Sequence, residues 1–302
     1  MNFLSYSSPL QAIHSQLFPG IELWIKRDDL LHPQVSGNKF RKLKYPLLTT
    51  LPEGRTLISM GGAWSNHLHA LAYAGHAMGL NTIGLVRGLT DSQQTVSATL
   101  QDCRDWGMQL HFVSRSDYRE LREHPTQWQQ WIDSDPAQCL WLPEGGSSVA
   151  AVRGVAELIE ELPWIPESVV VACGTGTTLA GIIAGMQNRG RIIGIAAVQN
   201  AEYMRSEVTE MVLDATYPTF KNFNILHDYT HGGFAKSSSE LRQFCTQFVE
   251  ETQIPIEPIY TGKMFYALRQ LCLAGQFKRG ERVLAIHTGG LQGNRGFQTK
   301  QD

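Results

Sequence analysis

The sequence predicts a doubly wound α/β fold: open, parallel sheets covered by helices, with a smaller unit inserted into a larger one. Three observations carry the prediction. From Thr56 to Ile286, short β-type runs alternate with segments of helical period, the rhythm of strand–helix–strand units. The run Ser168-Val169-Val170-Val171-Ala172 has no polar alternation, as expected of a strand buried on both faces of a parallel sheet. With 302 residues, 42% hydrophobic and 18% charged, the chain can bury a large core and suits two domains or one large one.

In chain order, Glu22 to Lys26 reads as a short strand, followed by Arg27-Asp28-Asp29 and a loop holding Pro33. Ser36 or Asn38 caps a helix whose apolar positions begin Phe40, Leu43, Leu47 and Leu48. Strands then follow at Thr56 to Ser59, Asn81 to Val86, Gln109 to Val113 and Gln138 to Leu142. Helices are read at Asn66 to Met78 and Ser92 to Trp106, with helical or irregular polar sequence from Arg115 to Asp133. Later helices are read at Ser147 to Leu162, Thr178 to Gln187, Ala201 to Leu213, Ser239 to Glu251 and Met264 to Ala274. The remaining strands are Ser168 to Ala172, Ile192 to Val198 and Arg282 to Ile286. Because the first helix precedes a compact four-strand unit and the most apolar strands follow it, residues 52–143 are read as a smaller inserted α/β domain. Residues 1–51 and 144–302 form the larger domain, and the cleft between the two is the expected ligand site.

Composition excludes several functions. The net charge is -2, and no basic stretch interleaved with aromatics marks a nucleic-acid surface. The amino end lacks a secretory signal and no apolar run is long enough to span a bilayer, so a cytoplasmic location without membrane attachment is expected. Five cysteines (Cys103, Cys139, Cys173, Cys245, Cys272) stand far apart without a Cys-x-x-Cys pair, which argues against a disulfide framework or a metal site.

Five constellations carry chemistry. In Ser36-Gly37-Asn38-Lys39-Phe40-Arg41-Lys42-Leu43, three cations crowd a helix amino end that is already partly positive. That makes sense if an anion or a suppressed lysine pKa belongs to the design, and a lysine that sheds its proton is a usable amine nucleophile. On those eight residues alone, a solvated basic face is the plainer reading. Cys173-Gly174-Thr175-Gly176-Thr177-Thr178 joins a buried strand to a helix and offers backbone N–H groups, hydroxyls and a helix dipole to a phosphate. Leu179 stands where a dinucleotide fingerprint needs a glycine, Val198-Gln199-Asn200 lacks its acidic residue, and a P-loop lysine is absent, leaving one phosphate monoester. Gly61-Gly62-Ala63-Trp64-Ser65-Asn66-His67, again entering a helix, suits a carboxylate. Tyr260-Thr261-Gly262-Lys263 and His287-Thr288-Gly289-Gly290 complete the set, the latter at the strand edge where open α/β sheets hold ligands. Together they describe a pyridoxal 5′-phosphate site.

These motifs, in this order and with Lys26-Arg27-Asp28-Asp29 before them, resemble the pyridoxal-phosphate enzymes of the tryptophan-synthase β-subunit fold (fold type II). Within that fold the chain is most similar to the group of 1-aminocyclopropane-1-carboxylate deaminase and D-cysteine desulfhydrase. The resemblance implies open twisted parallel sheets with the cofactor between two domains, and a homodimer. It implies that Lys39 carries the cofactor as an imine, that Asn66 bonds its phenolic oxygen, and that Gly174, Thr175, Gly176, Thr177 and Thr178 hold the phosphate. Thr288 would meet the pyridine nitrogen, and Thr261 is likewise expected to bind the cofactor. Ser65, Asn66 and His67 would receive the substrate carboxylate, and Tyr260 would sit at the reacting carbon. Lys39, Ser65 and Tyr260 are thus the expected catalytic residues.

Ring-opening deaminases carry Glu after the tyrosine, whereas Thr261 resembles the desulfhydrase branch. Phe234 replaces the second phenol expected in both branches, and Trp64 stands where the family commonly has Gln. The implied activity is an α,β-elimination of the D-cysteine desulfhydrase kind, giving pyruvate, ammonia and sulfide. The alternatives are deamination of the cyclopropane amino acid to 2-oxobutanoate and ammonia, a protein that holds the cofactor without turnover, and a sugar-phosphate binder or isomerase that would carry no chromophore.

Overall fold

The computed structural model describes residues 6–48, 54–88 and 96–298. The boundary expected at 51/52 and the helix start expected at Ser92 lie outside them. In chain order the strands are β1 (Leu10–Ile13), β2 (Ile21–Lys26), β3 (Thr56–Gly61), β4 (Asn81–Arg87) and β5 (Gln109–Val113). They continue as β6 (Cys139–Leu142), β7 (Ser168–Cys173), β8 (Arg191–Ala196), β9 (Phe223–Leu226) and β10 (Glu281–Ile286). The first helices are α1 (Asn38–Leu48), α2 (Asn66–Met78), α3 (Ala98–Asp105), α4 (Arg115–Glu123) and α5 (Val149–Glu160). They are followed by α6 (Thr177–Met186), α7 (Met204–Asp214), α8 (Ser239–Thr252), α9 (Thr261–Leu273) and α10 (Arg295–Gln298).

The strands form two sheets, of order β1-β2-β10-β7-β8-β9 and β5-β4-β3-β6. Every pairing is parallel except β1 with β2, which is the α/β architecture the alternation predicts. The strands of the four-stranded sheet lie between residues 56 and 142; those of the other lie before and after. Two short edge strands, β1 and β9, escape the sequence reading. Four residues of half-buried edge carry too little periodicity to register.

β7 shows how the core is divided. Its side chains alternate between two apolar clusters: Val169 and Val171 pack with Val152, Leu179 and Val208 of α5, α6 and α7. Val170 and Ala172 pack with Phe244, Phe248 and Phe265 of α8 and α9. A strand covered on both faces needs no polar face, hence the unbroken Val run.

Two features of the topology position the site. β10, last in sequence, lies between β2 and β7, so parallel pairing brings Arg27, His287 and Gly174 to one sheet edge. α1 joins the two sheets: Phe40, Leu43 and Leu47 enter the core that Leu57 of β3 shares with Leu68 and Leu71 of α2, on the four-stranded sheet. On its other side, α1 meets α5 so closely that a Cβ on Gly154 would stand 2.2 Å from the Arg41 carbonyl oxygen.

Candidate active site

The start of α1 is fastened to the end of β10. Gly37 has φ +65°, and a Cβ there would stand 1.9 Å from the Thr288 carbonyl oxygen, so only glycine allows this approach. Asn38 N–H donates to that same oxygen at 3.1 Å. The Asn38 side chain donates to Thr178 Oγ1 at 2.9 Å and accepts from Lys39 Nζ at 3.0 Å. One asparagine therefore ties the lysine amine, the threonine turn and the Thr288 turn together. Burial pushes the Lys39 pKa down to about 8.

The other two cations have separate fates. Arg41 is buried and forks onto Asp28 at 2.6 and 2.8 Å and onto Glu161 at 2.7 and 3.0 Å. Glu161 also meets Lys26 at 2.6 Å, so Arg41 is a structural ion that ties α1 to the residues just after β2 and α5. Lys42 lies one turn beyond Lys39, with Nζ 3.2 Å from the Gly145 carbonyl oxygen and 3.4 Å from Thr175 Oγ1. Burial, then the charge on Lys39, hold its pKa well below the ordinary lysine value. The phosphate-type loop lacks a lysine of its own, and α1 supplies one from outside. The i,i+3 spacing of Lys39 and Lys42 is the sequence signal for that shared face.

In the turn between β7 and α6, Thr175 and Thr177 hydroxyls lie 3.1 Å apart, and Thr177 donates to Ser147 Oγ at 2.9 Å. Gly176 has φ +77°, and a Cβ on Gly174 would stand 3.0 Å from Tyr260 Cε1. Among the described residues the N–H groups of Gly176, Thr177 and Thr178 have no partner. Orphan donors, a cation and a helix amino end converge, which fits a phosphate.

The loop into α2 offers a second set. Ser65 caps the helix, its Oγ accepting from Leu68 N–H at 3.2 Å, and the N–H groups of Asn66 and His67 are unpartnered among the described residues. His67 departs from expectation. Its ring is buried; Ser59 spends its one hydroxyl proton on the Leu142 carbonyl oxygen at 2.7 Å, so His67 Nε2, 2.9 Å away, must be the donor. Nδ1 is then a bare acceptor with no partner among the described residues. Burial and the charges of Lys39 and Lys42 keep the ring neutral, so this side chain cannot donate to a carboxylate, and only the main-chain N–H can.

Thr261 also turns inward. It is fully buried, and its hydroxyl donates to Glu257 Oε1 at 3.0 Å. Glu257 caps the start of α9, accepting from the N–H groups of Ile259, Tyr260 and Thr261; burial outweighs these bonds and pushes its pKa up to about 7. Thr261 thus serves this cap, contrary to the cofactor contact expected of it. Tyr260 stays half-buried beside Gly174, with Phe234 edge-on at 6.1 Å between ring centroids. Burial and Glu257 raise the Tyr260 pKa above the usual phenol range, so it remains a proton donor. Sequence reasoning placed Lys42 among the crowded cations without assigning it to the threonine turn, and it missed Ser147 and Gln292, the last of which meets the Asn66 side chain.

Comparison with known proteins matches residues 6–289 to a family described as pyridoxal-phosphate dependent enzyme. A Pyrococcus horikoshii protein named as a candidate 1-aminocyclopropane-1-carboxylate deaminase is 31% identical over 91% of this chain and 86% of its own length. The mitochondrial bifunctional D-cysteine desulfhydrase/1-aminocyclopropane-1-carboxylate deaminase of Arabidopsis thaliana is 28% identical over 93% of this chain and 76% of its own. The crystal structure of an ACC deaminase homologue superposes with a TM-score of 0.86 at 27% identity, covering 99% of this chain and 94% of that one.

Proposed function

The chain belongs to the family of pyridoxal-phosphate dependent enzymes, and from that premise we propose that it is a lyase acting on a small β-substituted amino acid, as a D-cysteine desulfhydrase does. The single observation that supports this most is the Asn38 junction, which holds the low-pKa Lys39 amine against both the threonine turn and the Thr288 turn. The reaction adds water to the amino acid and releases pyruvate, ammonia and, from D-cysteine, sulfide. Bound pyridoxal phosphate supplies an electron sink conjugated to the substrate amine.

The protein's own groups supply the rest. The phosphate would be held by the Gly174 to Thr178 turn, through the free N–H groups of Gly176, Thr177 and Thr178, and by Lys42. Asn66 would donate from Nδ2 to the phenolic oxygen. Thr288, a neutral hydroxyl, would serve the pyridine nitrogen without keeping an extra proton there, a setting that would favour prompt loss of a β leaving group. Ser65 and the N–H groups of Asn66 and His67 bind the substrate carboxylate. Lys39 Nζ takes the proton from the substrate carbon beside the amine, and the protonated Tyr260 faces the departing group.

A second reading, deamination of the cyclopropane amino acid, is favoured by the names of the relatives above. Thr261 and Phe234 weigh against it. Residues 52–143 are read as the smaller domain, which the separate four-stranded sheet supports. A homodimer in the cytoplasm completes the proposal; among the described residues no helix is long and apolar enough to cross a membrane.

The test is keto-acid release from D- and L-cysteine, β-chloroalanine and the cyclopropane acid. D-cysteine should give pyruvate, and Lys39→Ala should abolish both turnover and the visible band of the bound cofactor. A band that survives Lys39→Ala would overturn the assignment of the lysine, and a yellow protein inert to every substrate would leave only cofactor binding.

A further inference from the structure

We infer that Gln292 is a positioning residue: it decides which end of the Asn66 amide faces the cleft, and Arg295 and Thr99 hold Gln292 in turn. The inference rests on the reading that Asn66 donates to the phenolic oxygen of the cofactor.

The two ends of a primary amide have nearly the same shape, so only their hydrogen-bond partners fix the orientation. Here the partners leave no choice. Arg295 has only donors; its Nη2 lies 2.7 Å from Asp102 Oδ2 and 3.1 Å from Gln292 Oε1. The buried Thr99 hydroxyl donates to the same Oε1 at 2.5 Å. Gln292 must therefore keep its oxygen on that side and present its NH₂ on the other. There Nε2 meets Asn66 Oδ1 and, at 3.4 Å, the Trp64 carbonyl oxygen, both acceptors.

Asn66 is thereby obliged to spend its oxygen on Gln292. Its Nδ2 points away, so close to the Gly290 backbone that a Cβ there would stand 2.7 Å from it. Among the described residues this nitrogen has no acceptor. A free donor stabilises an anionic phenolic oxygen, whereas the same amide turned around would oppose it with a partial negative charge.

The relay crosses the molecule. Gln292 and Arg295 belong to the segment after β10 of the six-stranded sheet, a 3-10 turn at Leu291–Asn294 and then α10. Asn66, Thr99 and Asp102 start or line α2 and α3, which flank the four-stranded sheet. Trp64 seals the contact, its ring 3.1 Å from where a Gly296 Cβ would be. The donor at residue 66 is therefore specified only when the carboxy-terminal segment is docked.

The test compares three substitutions in the cofactor-loaded protein. Gln292→Glu keeps the size and still accepts from Thr99 and Arg295, but turns a second acceptor on Asn66, whose amide must rotate to donate to it. The pH midpoint of the cofactor's visible absorbance should rise by about one pH unit, a tenfold change in the ionisation constant. Gln292→Met, which leaves the amide free to turn, should raise it less. Asn66→Ala should also raise it, and in that background neither Gln292 substitution should act further. In cofactor-free protein, urea unfolding of Asn66→Ala, Gln292→Met and the double variant should be non-additive. A midpoint that moves with Asn66→Ala but not with Gln292→Glu overturns the relay and leaves the reading of Asn66 standing. A midpoint indifferent to Asn66→Ala removes that reading, and the relay with it. Should Gln292→Glu fail to load, the methionine variant and the cofactor-free cycle decide by the same criteria.

Discussion

Replacing Lys42 by Met distinguishes a charge kept for a ligand from a charge kept for the fold, because the two predict opposite signs. Lys42 is 2% exposed, and among the described residues its amine touches two neutral oxygens and no carboxylate. A buried cation paired this poorly is a cost to the cofactor-free protein. Methionine fills similar volume without charge, so cofactor-free Lys42→Met should unfold at equal or higher urea, by up to about 1 kcal/mol. The size of this effect depends on pH. Because the folded-state pKa lies below the unfolded one, native stability rises with pH between the two values, so the variant's advantage is largest below that window and fades as the lysine deprotonates. Cofactor binding should move the other way. Losing a charge-assisted bond to the phosphate costs about 1.5–3 kcal/mol, or about 10- to 150-fold in dissociation constant. Urea unfolding of cofactor-free protein, with fluorescence titration of pyridoxal phosphate and inorganic phosphate as competitor, reads both. A variant that is less stable yet binds the cofactor within about twofold of the parent would refute the reasoning.

Other predictions follow from the same geometry. With the Lys39 pKa at about 8, the neutral amine grows with pH, so cofactor uptake should accelerate about fivefold from about pH 7 to about pH 8 and flatten above about pH 9; a flat stopped-flow profile would contradict this. Thr261→Glu with Phe234→Tyr should raise keto-acid release from the cyclopropane acid relative to D-cysteine, while the new carboxylate beside Glu257 lowers the urea midpoint. Gly37→Ala must place a Cβ 1.9 Å from the Thr288 carbonyl oxygen at φ +65°, and should cost more than about 3 kcal/mol in cofactor-free unfolding.

What the sequence discloses is what repeats locally. The βα rhythm, the β-branched run at 168–172 and the glycine–threonine turn each announce themselves within a dozen residues, and the structure has them where they were read. Side-chain commitments made through space do not announce themselves. His67 and Thr261 sit in motifs that promise ligand contacts, yet Ser59 fixes the tautomer of one and Glu257 takes the hydroxyl of the other. Gln292 has no local signature at all, since its meaning lies in Asn66, 226 residues away in sequence. Lys42 falls between these cases: its spacing from Lys39 is plain, but only the fold shows that the shared face looks onto the threonine turn.

The cations at the start of α1 show how one helix can carry the lysine proposed to react. A helix amino end repels positive charge, and each of the three is accommodated: Arg41 by two carboxylates, Lys39 by a lowered pKa, Lys42 by a lowered pKa and by facing the threonine turn proposed to take the phosphate. Lys39 and Lys42 are one turn apart, a rise of about 4.5 Å along one rigid element. The groups proposed to grip the cofactor at its reactive carbon and at its phosphate therefore cannot move independently. Since Phe40, Leu43 and Leu47 root the helix in the four-stranded sheet's core while Gly37 and Asn38 pin its start to Thr288, any shift between the sheets must strain the junction at Gly37. There the backbone has no slack, because the approach to Thr288 already excludes a single methyl group.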